Sequence, residues 1–251
     1  MYGRYAKERA RPFVDLLARV DVTDPASVVD LGCGSGELTA SLADRWPSAQ
    51  VLGVDSSTSM LAEAAPRSGL AFELGDVTRW RPAGPVDVIV TNATLQWVPS
   101  HLDLLPIWVS HLAPGGVLAM QVPANFEAPS HRLMREIAAE PAYAERLAGV
   151  LRGGESVAEP ATYAAVLADA GCRVDVWETT YLHVLSGEDA VLAWVRGTGL
   201  RPVLDALADD PVLRDAFVAD YADRLRSAYP RCSWGTLFAF RRLFAVAERA
   251  S

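Results

Sequence analysis

The chain has 251 residues, of which 51% are hydrophobic, and it carries a formal net charge of −8. This much apolar sequence predicts a large buried core, and an acidic chain repels nucleic-acid phosphates and anionic lipid, so neither partner is expected. No run of about 18 apolar residues predicts a membrane span, and no apolar stretch near Met1 indicates a signal peptide. Three scattered cysteines exclude a disulfide framework or a zinc site and suit the reducing cytoplasm.

The first half of the sequence alternates helical and extended segments with short connections. Residues 5–20 have apolar positions at helical spacing and predict the first helix. Strands are predicted at 27–31, 50–54, 70–74, 86–90 and 117–122, and helices at 36–45, after the capping residues Ser56, Ser57 and Thr58, and near 101–111. This alternation is typical of a parallel sheet covered by helices, an α/β fold.

The pattern changes after residue 123. Helices are predicted near 129–139 and 160–170, an extended run over 173–185, a helical stretch over 187–228 with breaks at Pro202 and Pro211, and a strand over 236–247. The two long late strands are expected to pair antiparallel at the edge of the sheet. We predict one domain over residues 1–251, with a helical insert at about 187–230 that forms part of an acceptor pocket.

A glycine-rich loop follows the first predicted strand. Residues 28–36 read Val-Val-Asp-Leu-Gly-Cys-Gly-Ser-Gly, and Asp55 ends the second strand. Glycine allows a backbone to approach a ligand closely, and a carboxylate at the end of the neighbouring strand can accept hydrogen bonds from ribose hydroxyls. Because parallel strands bring their carboxyl ends to one edge of the sheet, these residues predict a nucleoside pocket there.

Two cofactor classes are compatible with such a pocket. A dinucleotide site uses G-x-G-x-x-G to grip a pyrophosphate, whereas the spacing here is G-x-G-x-G and Asp30 precedes it. An acid at that place repels pyrophosphate and attracts the ammonium group of an amino acid. S-adenosylmethionine has an amino acid, a ribose and an adenine, which suit Asp30, Asp55 and Asp76 respectively. The alternative is a ligand-free turn with aspartates that only cap helices.

Longer segments of the chain carry a more specific likeness. They are 92–97 (Asn-Ala-Thr-Leu-Gln-Trp), 133–136, 170–172, 177–181 with His183, 198–202 and 242–244. The glycine loop with its three acids resembles the class I methyltransferases, and these segments resemble the trans-aconitate 2-methyltransferase family over nearly the full length. The resemblance implies a Rossmann-like, mostly parallel seven-stranded sheet with an antiparallel last strand. It also implies that S-adenosylmethionine esterifies a carboxylate of trans-aconitate, a small tricarboxylate, with S-adenosylhomocysteine as the product.

The residues and the resemblance together indicate the site. Expected cofactor-binding residues are Asp30, Gly32, Cys33, Gly34, Gly36, Asp55, Ser56, Met60, Asp76, Val77, Asn92, Ala93 and Gln96. Expected acceptor-binding residues are Tyr2, Tyr5, Arg9, Trp97, Tyr181, His183, Arg201 and Arg242. No metal is expected. No general base is expected either, because a carboxylic acid with a pKa of about 4 is already ionised at neutral pH, so alignment and removal of water can carry the catalysis.

Several of these assignments have structural alternatives. Arginine forks hold carboxylates well, but Arg242, inside an apolar strand, is also suited to an ion pair with an acid. For Arg9, as for Arg196, a solvated helix face is favoured over a contact with the ligand. Tyr181 and His183 alternate along a strand and therefore share a face, where His183 is either a ligand contact or a buried structural histidine.

Other functions remain open at the level of the sequence. The same cofactor can serve a methyltransferase acting on another small acid or on a natural-product acceptor. A nucleotide-dependent oxidoreductase and a non-catalytic cofactor-binding module are the alternatives from other classes. A monomer is expected in each case.

Overall fold

The computed structural model describes residues 6–153 and 156–250. Its helices are α1 (Ala6–Leu17), α2 (Glu37–Arg45), α3 (Thr58–Leu61), α4 (His101–Ser110), α5 (Pro129–Ala138), α6 (Ala144–Leu147), α7 (Pro160–Asp169), α8 (Ala190–Arg196), α9 (Arg201–Ala206) and α10 (Pro211–Ala228). Its strands are β1 (Ser27–Leu31), β2 (Gln50–Asp55), β3 (Leu70–Leu74), β4 (Val86–Asn92), β5 (Leu112–Pro123), β6 (Cys172–Leu185), β7 (Arg231–Cys232) and β8 (Gly235–Arg249). No helix in these ranges is both long and apolar enough to span a bilayer.

The strands form one mixed sheet in the order β3-β2-β1-β4-β5-β8-β6, and the two-residue β7 pairs with β8. Strands β1 to β5 pair in parallel, and β8 runs antiparallel to β5. The predicted α/β sheet with an antiparallel last strand is therefore confirmed. The strand order reverses between β1 and β4, and open α/β sheets bind their ligands at such a reversal, outside the carboxyl ends of the strands.

The chain divides into two compact units. The first, here called the sheet unit, comprises Arg9–Pro123, Val157–Thr179 and Arg242–Ser251. Its central strands β1, β4 and β5 are buried almost throughout, which explains their near-continuous apolar sequences, because helices cover both faces of a parallel sheet. Asp87 joins two of these strands at their amino ends, where its Oδ2 accepts hydrogen bonds from the backbone N–H groups of Ala26 and Ser27.

The second unit, here called the helical unit, consists mainly of Ala124–Ser156 and Thr180–Arg241. Its core combines aliphatic side chains with several aromatic ones, among them Trp194, Phe217, Tyr221 and Phe238. The hydroxyl of Tyr221 donates to the carbonyl of Ser130 at 2.7 Å, so the phenol is buried with a partner. This unit contains the whole of the predicted insert at 187–230, together with α5 and α6. One domain with a lid-forming insert stays a prediction.

The observed elements differ from the predicted ones mainly in the second half of the chain. The stretch predicted as helical over 187–228 is three helices, and the two prolines lie in first turns, Pro202 in α9 and Pro211 in α10. Proline fits there because the first N–H groups of a helix have no intrahelical acceptor. The sequence analysis missed α6 and β7, since four and two residues are too few to show a period.

Candidate functional site

The glycine-rich loop, residues 32–36, joins β1 to α2 and is anchored on β2. The N–H groups of Gly32 and Cys33 both donate to the carbonyl of Val54, at 2.8 and 3.1 Å. At Gly32 the backbone has φ +83°, and a Cβ would lie 2.1 Å from Oγ1 of Thr94. Only glycine satisfies both conditions. The loop after β1 therefore packs directly against the segment that follows β4.

Gly34 has the opposite environment. Its φ is +57°, and a Cβ built there would have no heavy atom of the described residues within 4 Å. Its N–H donates to Oδ2 of Asp55 at 2.8 Å. The glycine loop thus presents an open backbone surface at the carboxyl end of β1, held in position by the carboxylate of the neighbouring strand.

Asp55 organises two backbone segments at once. Its Oδ1 accepts from the N–H of Ser57 at 2.8 Å, and the Ser57 hydroxyl in turn caps α3 by accepting from the N–H of Met60. A carboxylate has about four acceptor positions, and these two backbone bonds use two of them. Asp55 therefore keeps acceptor capacity for the hydroxyl groups of a ribose.

Asp30 lies below the loop and is only 3% exposed. Its Oδ2 accepts a 2.6 Å hydrogen bond from Oγ1 of Thr39 on α2. Burial raises the pKa of the Asp30 carboxyl from 3.8 to about 6, the Thr39 hydrogen bond opposes this rise, and the charge of Asp55 adds to it. A cation bound nearby would favour the ionised form, which agrees with the role predicted for Asp30 toward an ammonium group.

The raised pKa of Asp30 predicts a pH-dependent stability. Between pH 3.8 and about 6 the folded protein holds the Asp30 proton more tightly than the unfolded chain, so stability falls as pH rises. Asp30→Asn removes this loss and still accepts from Thr39. We expect the free energy of unfolding in urea to increase for Asp30→Asn relative to the wild type by about 1–2 kcal/mol between pH 5 and pH 8.

Asp76→Asn is the matched control for this measurement. The pKa of Asp76 is lowered by hydrogen bonds from the backbone N–H and hydroxyl of Thr78, so its carboxylate is ionised in both states above pH 5. The stability difference caused by Asp76→Asn should stay constant over that range. An Asp30→Asn difference that is equally flat would contradict a raised pKa for Asp30.

Asp76 is exposed at the end of β3, as the adenine assignment requires. Both described hydrogen bonds of its side chain use Oδ1, which accepts from Thr78 N at 2.9 Å and from Thr78 Oγ1 at 2.8 Å. The second carboxylate oxygen is left to accept from a ligand amine. The next residue, Val77, is buried, whereas Ser56 after β2 is exposed and Met60 half-buried.

The segment after β4 has an unusual backbone. Ala93 has φ +54°, a left-handed conformation that is rare for a residue with a Cβ and is typical of functional sites. Its N–H donates to the carbonyl of Gln121 on β5, and its carbonyl accepts from Nε2 of Gln96 at 2.6 Å. Beside it, Oδ1 of Asn92 is buried with no hydrogen-bond partner among the described residues, so an acceptor at the end of β4 is left for a ligand.

The electrostatic environment of the loop is negative. Burial raises the pKa of the Cys33 thiol to about 12, and the charges of Asp30 and Asp55 add to the rise. The thiol therefore stays protonated at neutral pH and is a poor nucleophile. The negative field that disfavours a thiolate also disfavours the binding of a pyrophosphate. It therefore supports S-adenosylmethionine over a dinucleotide as the cofactor.

Among the predicted acceptor-binding residues whose side chains the structure describes, two lie in the sheet unit. Arg242 on β8 is only 7% exposed, and its Nη1 donates to Oε1 of Gln121 at 3.2 Å. Trp97 ends the short 3-10 turn Leu95–Trp97 and is 48% exposed. The structure thus places a buried cation and an exposed aromatic ring near the carboxyl ends of β4 and β5.

Three further acceptor residues lie in the helical unit. Tyr181 and His183 are both buried, and their rings stack at 6.2 Å between centroids, so the predicted shared face is confirmed. His183 also contacts Trp194, at 4.7 Å between ring centroids. Arg201 is exposed at the start of α9, with its Nε 3.8 Å from Oδ2 of Asp205. Tyr2 and Tyr5 lie outside the described residues, as does the side chain of Arg9.

Several residues that shape this site could not be identified from the sequence. Thr39 bonds Asp30, Thr94 packs on Gly32, and the ring of Phe72 fills the space beside Gly36 and Gly53. Gln121 contacts both Ala93 and Arg242. Thr39 is on the helix that follows the loop, nine residues from Asp30, whereas the other three reach their partners only through the pairing of strands that are distant in sequence. The one signal available was that Thr94 belongs to the segment 92–97 already identified.

The arrangement in the sheet unit fits S-adenosylmethionine. The open surface at Gly34, the spare acceptor capacity of Asp55, the exposed carboxylate of Asp76 and the unpartnered Oδ1 of Asn92 are all at the carboxyl ends of β1 to β4. This site offers acceptors for hydroxyl and amine groups and a negative field for a cation. S-adenosylmethionine is complementary to this site, because it has ribose hydroxyls, an adenine amine, an ammonium group and a positively charged sulfonium.

Comparison with known protein structures supports the same fold. The chain matches phosphoethanolamine N-methyltransferase 2 of Haemonchus contortus, solved with S-adenosyl-L-methionine, with a TM-score of 0.56 and 15% identity over 96% of this chain and 53% of that one. It matches the [4+2]-cyclase SpnF with a TM-score of 0.59 and 16% identity over 96% and 80% of the two chains. A cyclase among the matches shows that the fold alone does not establish the reaction.

Relatives found by sequence comparison are much more similar to this chain than these solved structures are. A family model described as a methyltransferase domain matches residues 28–116, which run from β1 into the first residues of β5. A trans-aconitate 2-methyltransferase of Streptomyces coelicolor is 58% identical over 99% of this chain and 85% of its own length. The proteins of the same name from Methylobacterium nodulans and Mycobacterium tuberculosis are 50% and 47% identical, over 99% of this chain and 96% and 95% of theirs. The chain therefore belongs to the trans-aconitate 2-methyltransferase family of enzymes.

Proposed function

We propose that the protein esterifies one carboxylate of trans-aconitate with the methyl group of S-adenosylmethionine. The products are a mono-methyl ester and S-adenosylhomocysteine. The main support for the proposal is sequence similarity. Relatives named trans-aconitate 2-methyltransferase are 47–58% identical to this chain over nearly its whole length. The glycine loop and the three strand-end aspartates support the cofactor independently of those names.

The residues of the sheet unit account for how the methyl donor is held. Asp55 fixes the glycine loop through Gly34 N and accepts from the ribose, while Asp76 receives the adenine amine. Asp30 and Asn92 provide negative charge and an acceptor near the amino-acid end. When bound, S-adenosylmethionine supplies an activated methyl group, and the electron pair of the broken C–S bond stays on sulfur. The cation is stabilised by a site whose field is already negative.

The acceptor needs alignment more than activation. All three carboxylates of trans-aconitate are ionised near neutral pH, because their pKa values lie near the carboxylic reference of about 4. The nucleophilic oxygen therefore needs no base, and holding it in line with the methyl group can supply roughly 7–11 kcal/mol in favourable cases. Arg242, a buried cation, is proposed to hold a carboxylate, and Trp97 to form a wall of the acceptor site.

The direct test is transfer of labelled methyl groups to a panel of acids. Purified protein with labelled S-adenosylmethionine should label trans-aconitate, and mild alkali should release the label as methanol because the product is an ester. Citrate, cis-aconitate and a natural-product phenol are the other acceptors to include. Label in the phenol alone, or alkali-stable label, would reject carboxyl esterification in favour of another acceptor.

The open surface at Gly34 leads to a separate prediction. Gly34→Ala places a methyl group in that space, and we expect the Kd of S-adenosylhomocysteine, measured by calorimetry, to rise about tenfold or more through steric overlap. Stability should fall by only the ~1–2 kcal/mol of a left-handed alanine. Gly149→Ala is the control, since Gly149 has φ +72° and also has no described atom near a Cβ. It should lose similar stability without a change in Kd.

We further propose that the enzyme acts as a monomer in the cytoplasm. Cys33, Cys172 and Cys232 are all free, which suits a reducing compartment. The net charge of −8 argues against a polyanionic partner. Light scattering after gel filtration tests the first point and cell fractionation the second. A stable dimer at micromolar concentration would contradict the monomer.

A further inference from the structure

Three polar side chains form a row across the carboxyl end of the sheet unit. Asn92 on β4 lies opposite Gln121 on β5 in the parallel register. Gln121 lies opposite Phe244 on β8, and Arg242 lies opposite Pro123 two residues further along. Because directly opposed residues share a face of a sheet, Asn92, Gln121 and Arg242 lie side by side on one face. We call these three residues the amide row.

The amide of Gln121 has a defined orientation. Its Oε1 accepts from Nη1 of Arg242 at 3.2 Å, and because guanidinium groups only donate, the NH₂ of the amide must point the other way. Gln121 is 0% exposed, and its Nε2 has no hydrogen-bond partner among the described residues. Two buried N–H donors without an acceptor are unfavourable. Their position, next to Asn92 at the end of β4, is beside the proposed cofactor site.

We propose that Nε2 of Gln121 binds a carboxylate oxygen of the acceptor and that Gln121 determines the specificity for polycarboxylates. The inference rests on the proposed function and extends it to a residue that the sequence did not single out. A carboxylate oxygen is the acceptor that best matches these donors, because the guanidinium of Arg242 lies beside the amide and hydrogen bonds between ionised groups are the stronger ones. An uncharged hydroxyl would satisfy the amide but interact more weakly with the guanidinium.

The carboxylate held by Gln121 is one that is not methylated. A hydrogen bond donated to the attacking oxygen would stabilise its lone pairs and slow the attack, so the donors serve better on a neighbouring carboxylate. In that position they fix the orientation of the whole acid. The amide row then explains why a tricarboxylate suits the site better than an acid with a single carboxylate.

The test uses Gln121→Met, which keeps the size of the side chain and removes its donors. We expect the KM for trans-aconitate to rise about tenfold or more, with the Kd of S-adenosylhomocysteine unchanged. The variant also removes the acceptor of Arg242 Nη1, so the melting temperature should fall somewhat, and the unchanged Kd shows that the cofactor site stays folded. Gln50→Met, the same change at an exposed position of β2, is the control and should alter none of these quantities.

A comparison of inhibitors identifies the carboxylate that is held. Mesaconate, itaconate and cis-glutaconate each lack a different carboxylate of trans-aconitate, and their inhibition constants can be measured whether or not they are methylated. Gln121→Met should weaken two of them about as much as it weakens trans-aconitate. It should leave unchanged the one that lacks the bound carboxylate.

Gln121→Glu provides a second variant in case the first folds poorly. It keeps the shape and the bond to Arg242 but replaces the donors with a negative charge, so the KM should rise further than in Gln121→Met. An unchanged KM in either folded variant would overturn the inference. Failure of the wild type to esterify any carboxylic acid would instead reject the proposed function. If another acid is the acceptor, the same variants are measured with that acid.

Discussion

Gly32→Ala is expected to destabilise the protein more than the other glycine-to-alanine changes in the glycine loop. The new Cβ would lie 2.1 Å from Oγ1 and 2.7 Å from Cβ of Thr94, on a backbone with φ +83°. The left-handed conformation costs about 1–2 kcal/mol for alanine, and overpacking adds typically 1–3 kcal/mol. Thermal unfolding followed by circular dichroism should show a fall of roughly 5–15 °C, given about 2–4 °C per kcal/mol for a chain of this size.

Two further variants separate the causes of this loss. Gly171→Ala introduces alanine at φ +87° where no described atom lies within 4 Å of the Cβ, so it reports the backbone cost alone. Adding Thr94→Gly to Gly32→Ala removes the colliding side chain and should recover the steric part. If Gly32→Ala and Gly171→Ala lower the melting temperature equally, Thr94 does not pack on the loop as described.

Asp55→Asn is expected to have the largest effect on cofactor binding. Both oxygens of Asp55 accept backbone hydrogen bonds, from Gly34 N and Ser57 N, and an amide can satisfy only one of them. Hydrogen bonds to a charged acceptor contribute about 1.5–3 kcal/mol each, and the ribose loses an acceptor as well. We expect the Kd of S-adenosylhomocysteine, measured by calorimetry, to rise on the order of a hundredfold.

Asp87→Ala is the control, because it removes the Oδ2 that accepts the backbone N–H groups of Ala26 and Ser27 at the amino ends of the strands. It should lower the stability and leave the Kd unchanged. A similar rise in Kd for both variants would mean that Asp55 acts on the cofactor only through general stability, and the ribose assignment would be wrong.

The order of elements in the sheet unit could be predicted from the sequence because local signals are strong there. Strands buried on both faces read as apolar runs, as in 86–90, and their ends coincide with glycine, proline or capping residues. The predicted bounds of β1 and β3 are those observed. In the helical unit the signals were weaker, because proline was taken to break helices that it in fact begins.

The candidate cofactor site was also largely predictable, since its residues follow strand ends that parallel pairing must bring together. What could not be predicted was the environment of each residue. Asp30 was predicted to lie beside a ligand, and only the structure shows that its burial raises its pKa while the hydrogen bond from Thr39 lowers it. Arg201 was expected to bind a carboxylate, and the structure places it exposed near Asp205.

By itself the sequence determined the α/β fold, the family, the glycine loop and the three aspartates that follow strands, because each depends on short-range pattern or on similarity along the chain. Only the tertiary structure decided that Thr94 packs on Gly32, that Gly34 faces open space and that the amide of Gln121 is oriented by Arg242. Those features come from pairing between β5 and β8 and between β1 and β4. Which atoms meet across such pairs depends on register and rotamer, and neither can be read from residues that are 62 to 121 positions apart.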